Sequence, residues 1–235
     1  MKRTALLAAL LLGGANTIAQ AQSTHSVADT VDDQPWASDI AAFRKADRLH
    51  FPKPGGIVFV GSSSIVFWPH LAQDFPGENV IQRGFGGSEL GDVVYRAPTI
   101  VIPYKPRLVV LYAGDNDIAN GRTPQDVLAQ FQRFVKVVRD SLPKTRIAFI
   151  SIKPSWARVT LLDKMRAAND LVKKYIDGKP GLTYIDVFTP MLSPAGQPRM
   201  ALLDPTDSLH LNATGYKLWR HLVMPVVRAS RPVKP

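Results

Sequence analysis

The chain has 235 residues, 46% of them apolar and 20% charged, which fits one ordinary globular domain with a sizeable core. It contains no cysteine, which excludes disulfides, thiolate metal sites and a cysteine nucleophile. The formal charge is +10, or about +8 without Lys2 and Arg3, and the basic residues are scattered. With no basic helix or aromatic-interleaved motif, this charge favours anionic envelope polymers or lipid surfaces over nucleic acid.

In chain order, Lys2 and Arg3 precede an unbroken apolar run over residues 5–12, and Ala19-Gln20-Ala21 has small residues at cleavage spacing. This reads as a secretory signal peptide cut after Ala21. Its apolar run is shorter than the roughly 20 residues of a membrane span, and no later segment is apolar enough to span. No cysteine follows it, so lipoprotein anchoring is excluded. The expectation is an exported protein, periplasmic or secreted, without stable membrane insertion. Residues 22–34 are a polar lead-in, and residues 35–235 form a single domain.

Pro35 and Trp36 open a predicted helix in which Ile40, Ala41, Phe43, Ala46 and Leu49 make the apolar stripe. Residues 51–56 are a proline- and glycine-rich loop. The run Ile57-Val58-Phe59-Val60 has no polar alternation and predicts a strand buried on both faces. Gly61 and three serines follow, and either Ser62 or Ser63 can begin a helix as a cap. Residues 65–71 suit a short helix and residues 79–82 a second strand. The glycine-rich loop 83–88 leads into a helix over residues 89–96. Residues 107–112 are the third strand, ending in Ala113-Gly114-Asp115-Asn116-Asp117.

Thr123 and Pro124 mark a helix start, and that helix runs to Leu142 with Val127, Leu128, Phe131, Phe134, Val135 and Val138 on one face. A fourth strand over 146–152, a long helix over 156–176 and a fifth strand over 182–187 follow. A proline- and glycine-rich loop covers 188–206, and a last helix 212–227. Strands alternating with helices imply a parallel sheet with helices on both faces. The predicted fold is a three-layer α/β/α sandwich with a five-stranded parallel sheet, flavodoxin-like in strand order. Loops following strand C-termini then converge on one edge of the sheet.

Those loops supply serines, the Gly86-Gly87 amides, Asn116 between two aspartates expected to be solvated, and His210 three residues after Asp207. A hydroxyl, neutral hydrogen-bond donors and a histidine with a carboxylate are the parts of an acyl-transfer site. Histidine's ordinary pKa of about 6.5 suits removal of a serine proton. Asp115, Asp117 and Asp204 lack the spacing of a calcium loop. His25, His50, His70 and His221 have no comparable neighbours and read as surface or helix residues. Trp68 and Trp219 read as packing aromatics, and Trp156 lies close enough to a strand end to border a pocket.

Four blocks together resemble the SGNH hydrolase superfamily, the GDSL-type esterases and lipases: Gly61-Ser62-Ser63-Ser64, Gly84-Phe85-Gly86-Gly87, Gly114-Asp115-Asn116-Asp117, and Asp207-Ser208-Leu209-His210-Leu211-Asn212 followed by Gly215-Tyr216. The resemblance implies Ser63 as nucleophile, His210 as general base and Asp207 as its orienting carboxylate. It implies an oxyanion hole from the Ser63 amide, Gly86 and Asn116, and a serine esterase with neither metal nor cofactor. The substrates expected are short acyl esters, lysophospholipids or O-acetyl carbohydrate. Ser62 stands where the family usually has aspartate. Two alternatives are an O-acyltransferase acting on envelope glycan through the same serine, and a glycan-binding module with a relict site.

Overall fold

The computed structural model describes residues 35–231; the expected signal peptide and lead-in lie outside them. The elements are α1 (Ala37–Leu49), β1 (Ile57–Gly61), α2 (Ser63–Val66), α3 (Leu71–Asp74), β2 (Val80–Gly84), α4 (Leu90–Ile100) and β3 (Leu108–Tyr112). They continue as α5 (Asp115–Ala119), α6 (Pro124–Ser141), β4 (Arg146–Ile150), α7 (Leu162–Ile176), β5 (Leu182–Ile185) and α8 (Ala213–Ala229). The sheet is five-stranded in the order β2-β1-β3-β4-β5, with every neighbouring pair parallel. This is the three-layer arrangement and strand order expected from the sequence.

Alternate strand residues enter different layers. Val58, Val60, Val109, Leu111, Ile147 and Phe149 pack with α1, α4, α6 and α7. Ile57, Phe59, Leu108, Val110, Ala148 and Ile150 pack with α2, α3 and α8. Burial on both faces explains why these strands carry no polar alternation.

Several boundaries differ from expectation. Ala41, Ala46 and Leu49 are exposed, so α1 is anchored on Ile40 and Phe43. Its inner face is completed by Asp47, which accepts from Arg83 and Tyr104. The single short helix expected at 65–71 is two, α2 and α3, separated around Pro69, whose missing N–H and fixed φ interrupt a helix. Residues 156–161 form a 3-10 turn with a kink at Arg158 before α7 begins. The 188–206 loop contains short 3-10 turns at Thr189–Met191 and Met200–Leu202. Both α4 and α8 run past an internal proline, Pro98 and Pro225, close to their C-terminal ends.

The chain leaves β1 for β2 on one side and returns to β3 on the other. The crevice beyond the C-terminal ends of β1 and β3 is therefore the topological switch point, where open α/β sheets bind ligands.

Candidate active site

Gly61 ends β1 with φ of 136°, and a Cβ there would lie 1.7 Å from the Tyr112 carbonyl oxygen. Only glycine lets β1 and β3 end this close together, and the Ser62 amide then donates to that same oxygen at 3.0 Å. Ser63 follows as the first residue of α2. Gln82 from β2 donates to the Ile65 carbonyl at 2.5 Å, and the Tyr216 hydroxyl of α8 donates to the Ser64 carbonyl at 3.0 Å. The serine turn is thus held from both sides.

Ser62 and Ser64 are buried, whereas Ser63 retains access to solvent. Neither Ser62 Oγ nor Ser64 Oγ has a hydrogen-bond partner among the described residues. Ser62 occupies the N-cap position of α2, yet its side chain makes no cap. A carboxylate in this enclosed, unpartnered position would carry a heavy desolvation cost, so a small neutral residue suits these surroundings.

Ser63 Oγ lies 3.0 Å from His210 Nε2, and His210 Nδ1 lies 2.5 Å from Asp207 Oδ2. The other Asp207 oxygen accepts from the amides of Leu209 at 2.8 Å and His210 at 2.9 Å. The carboxylate therefore caps the turn and faces the imidazole at once. Burial opposes ionisation of Asp207, but the His210 ring and the two amides outweigh it and hold the carboxyl at about 2. Between them, Ser208 adopts the left-handed conformation with φ of 54°. Its amide donates to Asp204 and its carbonyl accepts from Ala157, which pins the strained residue at both ends. The Phe67 ring stands edge-on to the imidazole, with centroids 4.8 Å apart.

Gly86 lies just beyond β2, and a Cβ on it would meet no protein atom within 4 Å. Its carbonyl accepts from Trp36 Nε1 at 2.5 Å, and the Trp36 ring packs edge-on against Phe85. Trp36 is a support for this loop that carries no local signal in the sequence, since the two lie 50 residues apart.

Asn116 sits in α5, a short helix where a loop was expected. Asp115 and Asp117 are buried, not solvated. Asp117 accepts from the Leu90 amide at 3.0 Å, and burial, against that hydrogen bond, pushes its carboxyl up to about 7. Asp115 meets Lys153 Nζ at 3.4 Å and Arg158 Nη1 at 3.2 Å. Burial alone would raise the Asp115 pKa, but the two cations hold it below the usual carboxylate range. Burial pulls Lys153 below the lysine range, opposed by the charge of Asp115. Asn116 Nδ2 donates to the Ser88 carbonyl at 3.0 Å, and Asn116 Oδ1 accepts from Arg158 Nη2 at 2.8 Å.

Of the five residues singled out from sequence, Ser63 and Asn116 thus sit in short helices and Gly86, Asp207 and His210 in loops, with direct contacts linking Ser63, His210 and Asp207. His50, His70 and His221 are exposed and His25 is outside the described residues; Trp68 and Trp219 are core residues. Among the described residues no group of three or more His, Asp or Glu side chains is arranged to hold a metal ion, and no helix is long and apolar enough to cross a membrane.

Residues 59–218 match the sequence profile described as the GDSL-like lipase/acylhydrolase family. The chain belongs to that family. It is an ester-hydrolysing serine hydrolase. No curated protein matches the chain in sequence. Among solved structures, one from Streptococcus pneumonia described as a platelet activating factor is 20% identical, covering 81% of this chain and 91% of its own, with a TM-score of 0.72. One from Bacteroides fragilis described as an acylhydrolase is 22% identical, covering 87% and 100%, with a TM-score of 0.69. A GDSL-like lipase from Bacteroides thetaiotaomicron is 19% identical, covering 83% and 97%, with a TM-score of 0.68. At these identities the likeness is one of fold.

Proposed function

We propose that this GDSL-like acylhydrolase is an exported serine esterase in which Ser63 is the nucleophile, His210 the general base and Asp207 the carboxylate that orients it. The observation that carries the reading is the continuous chain from Ser63 Oγ to His210 Nε2 at 3.0 Å and from His210 Nδ1 to Asp207 at 2.5 Å. Burial of Ser62 and Ser64 favours Ser63 over its neighbours.

Ser63 Oγ attacks the ester carbonyl while Nε2 takes its proton, and Nδ1–H stays donated to Asp207, which stabilises the imidazolium. The oxyanion accepts from the Ser63 and Gly86 amides and the Asn116 side chain, one such donor being worth about 3 kcal/mol. Collapse breaks the ester C–O bond, and the departing alcohol takes the proton from Nε2. Water, deprotonated by the same imidazole, then hydrolyses the acyl-serine.

The substrates proposed are short acyl esters, lysophospholipids or O-acetyl carbohydrate. Exposed Phe67 beside His210, and Trp156 next to the residue that binds the Ser208 carbonyl, offer apolar surface for an acyl or alcohol group. Export rests on the signal peptide read from residues 1–21, with a single catalytic domain from residue 35 onward.

Ser63→Ala is expected to abolish p-nitrophenyl acetate hydrolysis with an unchanged circular dichroism spectrum. Activity retained in that variant moves the nucleophile elsewhere. A panel of esters of graded acyl length, including lysophospholipid and acetylated xylan, then ranks the substrate classes.

A further inference from the structure

The oxyanion asparagine is held by a charged group that the reaction scheme above does not use. Asn116 Oδ1 accepts from Arg158 Nη2 at 2.8 Å, while its Nδ2 donates to the Ser88 carbonyl at 3.0 Å. These two contacts fix the orientation of the amide. A flipped amide would set Nδ2 against a guanidinium that can only donate and Oδ1 against a carbonyl that can only accept. One of the two Nδ2 hydrogens is committed to Ser88, which leaves the other for a substrate oxygen.

The arginine is itself anchored. Its Nη1 lies 3.2 Å from Asp115 Oδ2, and Lys153 Nζ reaches the same oxygen at 3.4 Å. Asp115 is 4% exposed and Lys153 1%, so this ion cluster is enclosed, where a pairing has more effect than at a solvated surface. The Arg158 side chain is 17% exposed and projects from the kink within the 3-10 turn that precedes α7. Ala157, its neighbour, donates to the Ser208 carbonyl within the Asp207–His210 loop. One short turn thus braces the base loop through its backbone and the oxyanion donor through its side chain.

We propose that Arg158 is a positioning residue for the oxyanion hole: anchored on Asp115, it fixes and polarises the Asn116 amide so that Nδ2–H is a stronger, correctly aimed donor to the tetrahedral intermediate. A cation on an amide oxygen draws electron density from nitrogen and makes the N–H more acidic, and hydrogen bonds in series strengthen one another. The effect grows as negative charge develops on the substrate oxygen, so it belongs to the transition state more than to the bound substrate. The proposal rests on Asn116 serving the oxyanion hole of a Ser63 esterase.

The test is a double-mutant cycle on p-nitrophenyl acetate, a small neutral substrate, with Arg158→Ala, Arg158→Lys, Asn116→Ala and the double alanine variant. Arg158→Ala is expected to lower kcat by roughly ten- to a hundredfold, the scale of a misplaced catalytic group, with KM changed less than threefold. Arg158→Lys, which keeps the charge beside Asp115, is expected to recover part of that loss. In the Asn116→Ala background, Arg158→Ala is expected to cost less than about twofold, because its target is gone.

Multiplicative losses in the double variant overturn the proposal, as does an effect confined to KM, which would make Arg158 a substrate-binding residue. An unchanged kcat overturns it too. If Arg158→Ala fails to fold, the same cycle with Arg158→Lys in place of Arg158→Ala decides, since Asp115 keeps both cations. Ser63→Ala separates the two levels: activity surviving there removes the esterase reading itself, whereas an inactive Ser63→Ala with a multiplicative cycle removes only the role of Arg158.

Discussion

The Asp207 carboxyl faces the imidazole with one oxygen and two backbone amides with the other. A carboxyl held at about 2 in the folded chain is stabilised in its charged form. Its contribution is complete above the ordinary aspartate range near pH 4 and is lost as pH falls toward 2. Between about pH 4 and neutrality the Asp207 carboxylate therefore stays charged, so acid loss of activity in that range comes from other groups, and Asp117, next to Asn116 and pushed up to about 7, is one of them. With Asp117 replaced by Asn, we expect kcat/KM to rise with pH along a single-proton limb; a second ionisation between pH 4 and 6 in that variant would contradict a permanently charged Asp207. Asp207→Asn isolates the same contact. Asparagine Oδ1 can still accept from the Leu209 and His210 amides, but Nδ2 meets Nδ1 as a donor and imposes the wrong tautomer. We expect a fall in kcat of up to about 10⁴-fold with the thermal midpoint nearly unchanged. Activity within a few-fold of the parent would remove Asp207 from the mechanism.

At the scale of elements, α6 has the fullest start signal in the chain. Thr123 Oγ1 accepts from the Asp126 amide at 3.1 Å, Asp126 Oδ2 accepts from the Thr123 amide at 2.8 Å, and Pro124 fills the first helical position. Thr123→Ala removes one arm of this box, and urea unfolding should show a loss of about 1 kcal/mol. Activity per folded molecule should not change, since Thr123 touches none of the site residues. That start was legible in sequence because a cap is local, and so were β1 and β3, whose unbroken apolar runs follow from burial on both faces. The blocks of the candidate site were legible for a similar reason, each being a short segment, three at strand ends and one leading into α8. What escaped was set by contacts between distant segments. Asp115-Asn116-Asp117 looks solvated until Lys153 and Arg158, about 40 residues later, supply the buried charges that let α5 pack inward. The kink at Arg158 escaped likewise, because residues 156–176 contain no proline or glycine to mark a break, and the lower helix propensity of Trp156, Val159 and Thr160 does not by itself place one. Trp36 was unreadable as a brace for Gly86, its partner being 50 residues away.

For the molecule as a whole, the two helical layers are joined through strands that neither owns. Phe149 of β4 points into the layer of α6 and α7, where its ring lies 5.1 Å from that of Phe131. Its strand neighbours Ala148 and Ile150 point into the opposite layer, which also holds Trp68 and Trp219. A strand cannot leave one layer and remain in the other, so damage on one face should be felt on both. Phe149→Ala removes a fully buried ring from a close-packed interior and should cost about 3–5 kcal/mol, a large share of a typical domain stability. For a chain of this size that lowers the thermal midpoint by about 10 °C. The informative measurement compares probes. With Trp36 and Trp156 replaced by Phe, tryptophan emission comes from Trp68 and Trp219, which pack in the layer the substitution does not touch, whereas far-UV circular dichroism reports all the helices. Both should shift together to one lower midpoint if the sheet couples the layers. Tryptophan emission remaining at the parent midpoint while the dichroism moves would mean that α8 and its layer hold together independently. The candidate site would then straddle two separately unfolding parts, since Ser63 begins α2, which Tyr216 of α8 holds, while Asn116 and Arg158 belong to segments beside α6 and α7.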